Sequence, residues 1–308
     1  MLRRIQEIGA KANALDVWDQ VAPFNWAVKP RGTVFPYFCS VLRGDQQLVK
    51  VRLLMLEGWQ TLHEYVQVRE DLDYGFCSTP VELPHFEMVV LMSGEIKFYR
   101  HDTGFVPIDV NERQCGLLEK ILWETLGVML RIESDHNLPM KFAKDQAIFA
   151  RVEGLDGHWT DEPLVIPKPR AHVEEVVFPK DLVKKAVDLP IDTKTALDLD
   201  FRILPNVMTK ELRPRCVYAL VGVVAETGAR AFESRVSVHP EGGLRGLWES
   251  MPVAVLSELV ALGRVPAELR VRSKRVFRLL RPLCMELPIR LVMKDELPSL
   301  DPFYQARM

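Results

Sequence analysis

Asp156, His158, Asp161 and Glu162 fall within the segment GLDGHWTDEP and are of the types that hold divalent metals at short spacing. Their glycine and proline neighbours put them in a polar loop, where ligands lack the rigid support a metal needs, so a solvated loop is the expected role. Two neighbouring pairs, His101-Asp102 and Asp135-His136, have the residue types for acid–base work. Adjacent residues on a strand point to opposite faces, which keeps such pairs apart. Ser40 and Ser93 lack the glycine elbow of a hydrolase nucleophile, and Ser250 falls in a helical stretch. The run Gly242-Gly243-Leu244-Arg245-Gly246 has neither the phosphate-loop lysine nor dinucleotide spacing. No residue is therefore assigned as catalytic, cofactor-binding or metal-binding, and no cofactor is expected.

One segment has the pattern of a contact surface. From Glu95 to His101 charged and aromatic residues alternate, with Lys97, Tyr99 and His101 on one side and Ile96, Phe98 and Arg100 on the other. Tyrosine and arginine are enriched where proteins bind one another, so Lys97, Tyr99, Arg100 and His101 are the candidate interaction residues. The same lysine and arginine would equally protect an edge strand from aggregation.

These residues depend on elements that the sequence marks out. An amphipathic helix is expected near residues 2–12, and apolar runs at 37–45 and 48–56 read as strands. Ser93-Gly94 separates two strand-like runs within 86–101, a hairpin signal. The clearest helical stripe is Asn111 to Leu126, with Asp109 and Glu112 to cap it, Gly127 to stop it and a strand at Val128–Ile132 to follow. Proline then marks Gly154–Pro179 as an extended linker, with a short strand at Val173–Phe178. Strands near 216–225 and 230–239 come next, then a helix at 244–262, a strand at 267–272, a helix at 274–287 and a strand at 289–293. Ser273 is placed to cap that last helix, and Pro282 to kink it.

The order of these elements reads as a duplication. Ala14, Leu15, Asp16 and Pro23 recur at constant spacing as Ala196, Leu197, Asp198 and Pro205, and Tyr37–Asp45 lies against Tyr218–Glu226. Glu57-Gly58 corresponds to Glu241-Gly242. The expected fold is mixed α/β, with two tandem homologous domains, each a mixed sheet in the order ββαβαβ. The first spans 1–150 with the hairpin 86–101 as its addition, the Pro-rich linker spans 151–180, and the second copy spans 181–308. In topology each copy distantly resembles ribonuclease H-like domains, which open with antiparallel strands and then alternate helix and strand. That resemblance implies metal-holding carboxylates, one of them midway along the first strand. Tyr37–Arg43 and Val217–Ala225 contain none, which implies that the catalytic site is absent. A rival reading, a metal-dependent hydrolase or nuclease, needs Asp192, Asp198, Asp200 and Glu233 to converge at the domain interface.

Composition narrows the classes. The 308 residues suffice for two domains, and 40 basic against 42 acidic residues give no charge excess for a nucleic-acid or anionic membrane surface. Five widely spaced cysteines without a Cys-x-x-Cys pair fit a reducing, cytoplasmic setting. No apolar run is long enough to cross a bilayer, and the N-terminus lacks a secretory apolar core. The expectation is a non-enzymatic cytoplasmic protein that binds an unidentified protein partner, with its two copies packed as a pseudo-dimer.

Overall fold

The computed structural model describes residues 2–15, 17–22, 24–44, 47–70, 83–142, 146–168, 176–237 and 243–305. Asp16, Pro23, Asp45, Cys77, Glu241-Gly242 and residues 173–175, all used in the sequence reading, lie outside these. The chain is mixed α/β and divides into two compact units, Met1–Thr103 with Pro107–Arg170, and Gly104–Val106 with Ala171–Met308. Among the described residues there are nine α-helices and two mixed sheets.

Unit 1 runs through α1 (Leu2–Ala14), α2 (Trp18–Val21), β1 (Asn25–Lys29), β2 (Tyr37–Arg43), β3 (Val49–Glu57), α3 (Gly58–Glu70), β4 (His85–Leu91), β5 (Ile96–His101), β6 (Ile108–Asp109), α4 (Glu112–Ser134), α5 (Leu138–Phe142), β7 (Ala147–Glu153) and β8 (Trp159–Val165). Its eight strands lie in the order β6-β5-β4-β3-β2-β1-β7-β8. All neighbours are antiparallel except β1 and β7, which run parallel. Alternation gives the sheet two faces. Tyr37, Cys39, Leu53, Met55, Phe86, Met88 and Val90 pack with the apolar faces of α1 and α4. Phe38, Leu54 and Leu56 pack with Leu62 and Tyr65 of α3 on the other side.

The hairpin at 86–101 is present as β4 and β5, and Gly94 takes φ 86° in its turn, a conformation that suits glycine. The long helix starts with a capping box between Asn111 and Gln114, two residues beyond the expected Asp109–Glu112 pair. It also continues past Gly127, so Val128–Ile132 is helix and not strand. Val128, Met129 and Ile132 extend the buried stripe, and that burial outweighs one exposed-face glycine. A further correction concerns the expected linker. Residues 159–165 form β8, which pairs along its whole length with β7, so the sheet holds Pro163 on its edge strand.

Unit 2 comprises α6 (Lys180–Val187), β9 (Ile191–Met208), β10 (Cys216–Val224), β11 (Arg230–Ser237), α7 (Gly243–Leu262), β12 (Val265–Val271), α8 (Lys274–Glu286), β13 (Arg290–Met293), a 3-10 turn at Pro298–Leu300 and α9 (Asp301–Gln305). Its sheet has the order β11-β10-β9-β12-β13, antiparallel among β9, β10 and β11 and parallel among β9, β12 and β13. The unit therefore has one strand more than ββαβαβ provides, because β9 precedes the two strands read from the sequence. Leu197, Leu199 and Phe201 of β9 join α7 and α8 in one core. Leu204 and the alternate residues of β10 pack with Leu297 and Leu300 on the opposite face. The Ser273 hydroxyl accepts from the Val276 N–H as expected, and α8 runs through Pro282.

A candidate metal-ligating cluster and a sealed acidic strand

The alternation of β4 sends Phe86, Met88 and Val90 into the core beneath α1 and α4, and its intervening residues His85 and Glu87 to the other face. Across the strand pair, His101 of β5 stands opposite His85. The three side chains meet in the interior, with residue exposures of 0%, 3% and 2% for His85, Glu87 and His101. One ligand-type atom from each lies within 4.8 Å of the others, and among the described residues no other group of His, Cys, Asp or Glu converges in this way.

The cluster has defined hydrogen bonding. His85 Nδ1 lies 2.7 Å from the Leu83 carbonyl oxygen, and a carbonyl can only accept, so this nitrogen carries the hydrogen. His85 Nε2 is then a bare acceptor, buried and without a hydrogen-bond partner. His101 Nε2 lies 2.8 Å from Glu87 Oε2, while His101 Nδ1 and Glu87 Oε1 make no hydrogen bond. The Arg52 guanidinium stands 3.5 Å from Glu87 Oε1. Burial, and then the neighbouring His101, hold the His85 imidazole well below its ordinary pKa, so it is neutral at pH 7.

The candidate interaction residues divide between the two faces as the alternation requires. Arg100 turns toward the α1–α4 side, where its guanidinium donates to Glu57 at 2.8 Å and to Asp102 at 2.9 Å and lies 4.8 Å from the Phe86 ring centroid. Its side chain is only 13% exposed. His101 is buried in the cluster. Lys97 and Tyr99 retain partial exposure, and Lys97 pairs with Glu95. Two of the four thus serve the interior of unit 1.

Of the four residues expected in a solvated loop, Asp161 and Glu162 lie instead on β8, while Asp156 and His158 lie in the turn before it. Asp161 of β8 is held by Arg131 and Arg151, Glu162 accepts from Thr160, and Asp156 accepts from the His158 N–H. Asp135 pairs with Lys141.

In unit 2 the acids that sequence reasoning grouped lie mostly on β9. Asp198 and Asp200 are buried on the face away from α7 and α8. Asp200 is bonded by Arg202 at 2.6 Å and Arg272 at 2.8 Å. The Ser299 hydroxyl donates to Asp198 Oδ2 at 2.5 Å. Nearby on β12, Glu268 is clasped by Arg270 and Arg290, and the Arg270 bond leads in holding its carboxyl below the usual range. Asp192 accepts from Thr195 and Arg264, and Glu233 pairs with Arg230. Each of the four has its own partner.

Residues 182–306 match DUF6930, a domain of unknown function. The matched span covers unit 2 from α6 to α9 and leaves out His85, Glu87 and His101. No curated protein and no solved structure matches the chain. Among the described residues, no helix is long and apolar enough to cross a membrane.

Sequence reasoning missed His85 because the hairpin is read from Phe86 onward, and Glu87 because the contact pattern is sought only on the second strand, Glu95–His101. The available signal was two polar residues at alternate positions in an otherwise apolar strand, HFEMVVL.

Proposed function

We propose that the protein is a non-enzymatic, cytoplasmic binding protein built by internal duplication, each copy distantly ribonuclease H-like in topology. The duplication reading is supported by a shared sequence of pairings. In unit 1, β1, β2 and β3 form an antiparallel meander and β7 runs parallel to β1. In unit 2, β9, β10 and β11 form the meander and β12 runs parallel to β9. Tyr37 and Tyr218, matched in the sequence alignment, are both buried on the second strand of their meanders. The copies diverge beyond this core, since β8 is antiparallel to β7 whereas β13 is parallel to β12. Ala14 and Leu15 close α1 while Ala196 and Leu197 lie within β9, so that match gives the reading no support. Copies spanning 1–150 and 181–308, paired as a pseudo-dimer, belong to the same proposal.

The order of unit 2, three antiparallel strands followed by helix, strand, helix and strand, fits the ribonuclease H-like reading. Its first strand, β9, does carry acids. The observation that carries the non-enzymatic reading is that Asp200 is already neutralised by Arg202 and Arg272. A carboxylate that holds Mg²⁺ for phosphoryl chemistry must be free to bind it, and displacing two guanidinium groups from a buried acid is costly. The cytoplasmic reading is supported by Cys39, Cys115 and Cys284, which form no disulfide. Lys97 and Tyr99 are the residues proposed to meet a protein partner.

The test is a turnover assay of the full chain on single-stranded and duplex nucleic acid and on an activated phosphodiester, with Mg²⁺ or Mn²⁺ added. The proposal expects no turnover above a metal-only blank. Metal-dependent turnover that Asp198→Asn or Asp200→Asn abolishes would return the protein to the hydrolases.

A further inference from the structure

We propose that His85, Glu87 and His101 form a binding site for one divalent transition-metal ion of the zinc class, seated between β4 and β5 in unit 1. This replaces the expectation of no metal residue and stands independently of the binding-protein reading. Its first support is placement: three ligand atoms converge within 4.8 Å from two adjacent strands of a sheet, which positions them rigidly. Its second support is the buried nitrogen of His85. Nε2 makes no hydrogen bond, yet a buried polar atom without a partner costs about 1–3 kcal/mol. An ion at this position would satisfy it.

The surroundings match those of a metal-bound imidazole. A ligating histidine characteristically donates its other ring N–H to a carbonyl or carboxylate, which fixes the tautomer, and His85 Nδ1 donates in this way to the Leu83 carbonyl. Two imidazoles with one carboxylate make an N₂O donor set, which suits zinc and its transition-metal neighbours better than calcium or magnesium, whose ligands are oxygens. Glu87 supplies the carboxylate ligand, whose negative charge offsets part of the dication's.

Loading requires a local rearrangement. The rings of His85 and His101 lie 13° from parallel with centroids 4.0 Å apart, and two stacked rings cannot both direct a nitrogen at one ion. His101 must give up its bond to Glu87 and swing so that the rings splay; its ring hydrogen moves from Nε2 to Nδ1, and the ion takes the place this leaves between Nε2 and Glu87. With the site almost fully buried, the ion would pin the hairpin to the sheet interior as a structural site.

The test uses the full chain, stripped with chelator and dialysed, then titrated with Zn²⁺ against a chromogenic competitor and with Co²⁺ followed by its visible ligand-field bands. The expected result is uptake of about one equivalent per chain with a concentration-dependent rise in melting temperature. Glu87→Gln and His101→Asn should each weaken binding about tenfold or more, with circular dichroism confirming that they fold. His158→Asn, in the exposed loop, should leave it unchanged. If either ligand variant fails to fold, the wild-type titration still decides. No stoichiometric uptake of either ion by the wild type overturns the proposal, as does uptake that a folded Glu87→Gln retains at full affinity or that His158→Asn abolishes.

Discussion

His85 and His101 face each other across β4 and β5 with ring centroids 4.0 Å apart and both rings buried. Burial, and then the neighbouring His101, oppose a positive charge on His85. Protonation of His85 and folding therefore compete.

The pH dependence of stability follows from that competition. The folded-state pKa of His85 lies well below its ordinary 6.5, so the unfolded chain binds the extra proton first as pH falls. The stability held by the neutral ring is fully present above about pH 6.5 and is lost as pH falls below it, at up to about 1.4 kcal/mol per pH unit. Urea unfolding between about pH 7.5 and about pH 5.5 should show a falling midpoint, with a shallower fall in His85→Gln. A midpoint that is flat over this range would contradict the assignment.

Arg100 links β5 to Glu57 at the end of β3 and to Asp102. Arg100→Ala leaves two half-buried carboxylates without their cation and removes the guanidinium from the Phe86 ring. A loss of about 2 kcal/mol is expected by chemical denaturation, below the fully buried case because both acids keep some water. A loss under about 0.5 kcal/mol would show that the pair is a surface pair in energy.

Gly222 on β10 lies opposite Phe232 on β11, whose ring occupies the space a side chain would need. A Cβ at 222 would sit 2.4 Å from the ring. Gly222→Ala should destabilise by about 1–3 kcal/mol, and Phe232→Leu in the same chain should recover part of it. Strict additivity of the two changes would remove the steric explanation.

Ser299 ties the turn at Pro298–Leu300 to Asp198 in the middle of β9. Ser299→Ala leaves a buried carboxylate oxygen unpaired and should cost about 1–3 kcal/mol, whereas Ser299→Thr should keep most of the bond. Thermal melts of the two variants separate these outcomes.

Much of the fold is legible in the sequence because several segments have one dominant period. The stripe of α4, the Ser93-Gly94 turn and the Ser273 cap are all local, and the structure has all three. Misjudged elements were those where a local signal was weighed above burial. Gly127 resembles a helix stop but faces away from the core, and Pro163 resembles a linker residue but sits on an edge strand. The strand β9 was passed over although Leu197, Leu199, Phe201 and Ile203 alternate without a break with Asp198, Asp200 and Arg202. Without β9, the first strand of unit 2 is β10, which carries no acid. The His85–Glu87–His101 cluster depends on the register between β4 and β5: a two-residue Ser93-Gly94 loop would set Phe86 opposite His101, whereas the turn also takes in Met92 and sets His85 there.

The most direct measurement is an anomalous-scattering map from crystals of the full chain soaked in MnCl₂. The account predicts no manganese at Asp198 and Asp200, with Arg202 and Arg272 still bonded to Asp200. A manganese ion held there by three or more carboxylates, with those arginines displaced, would contradict it.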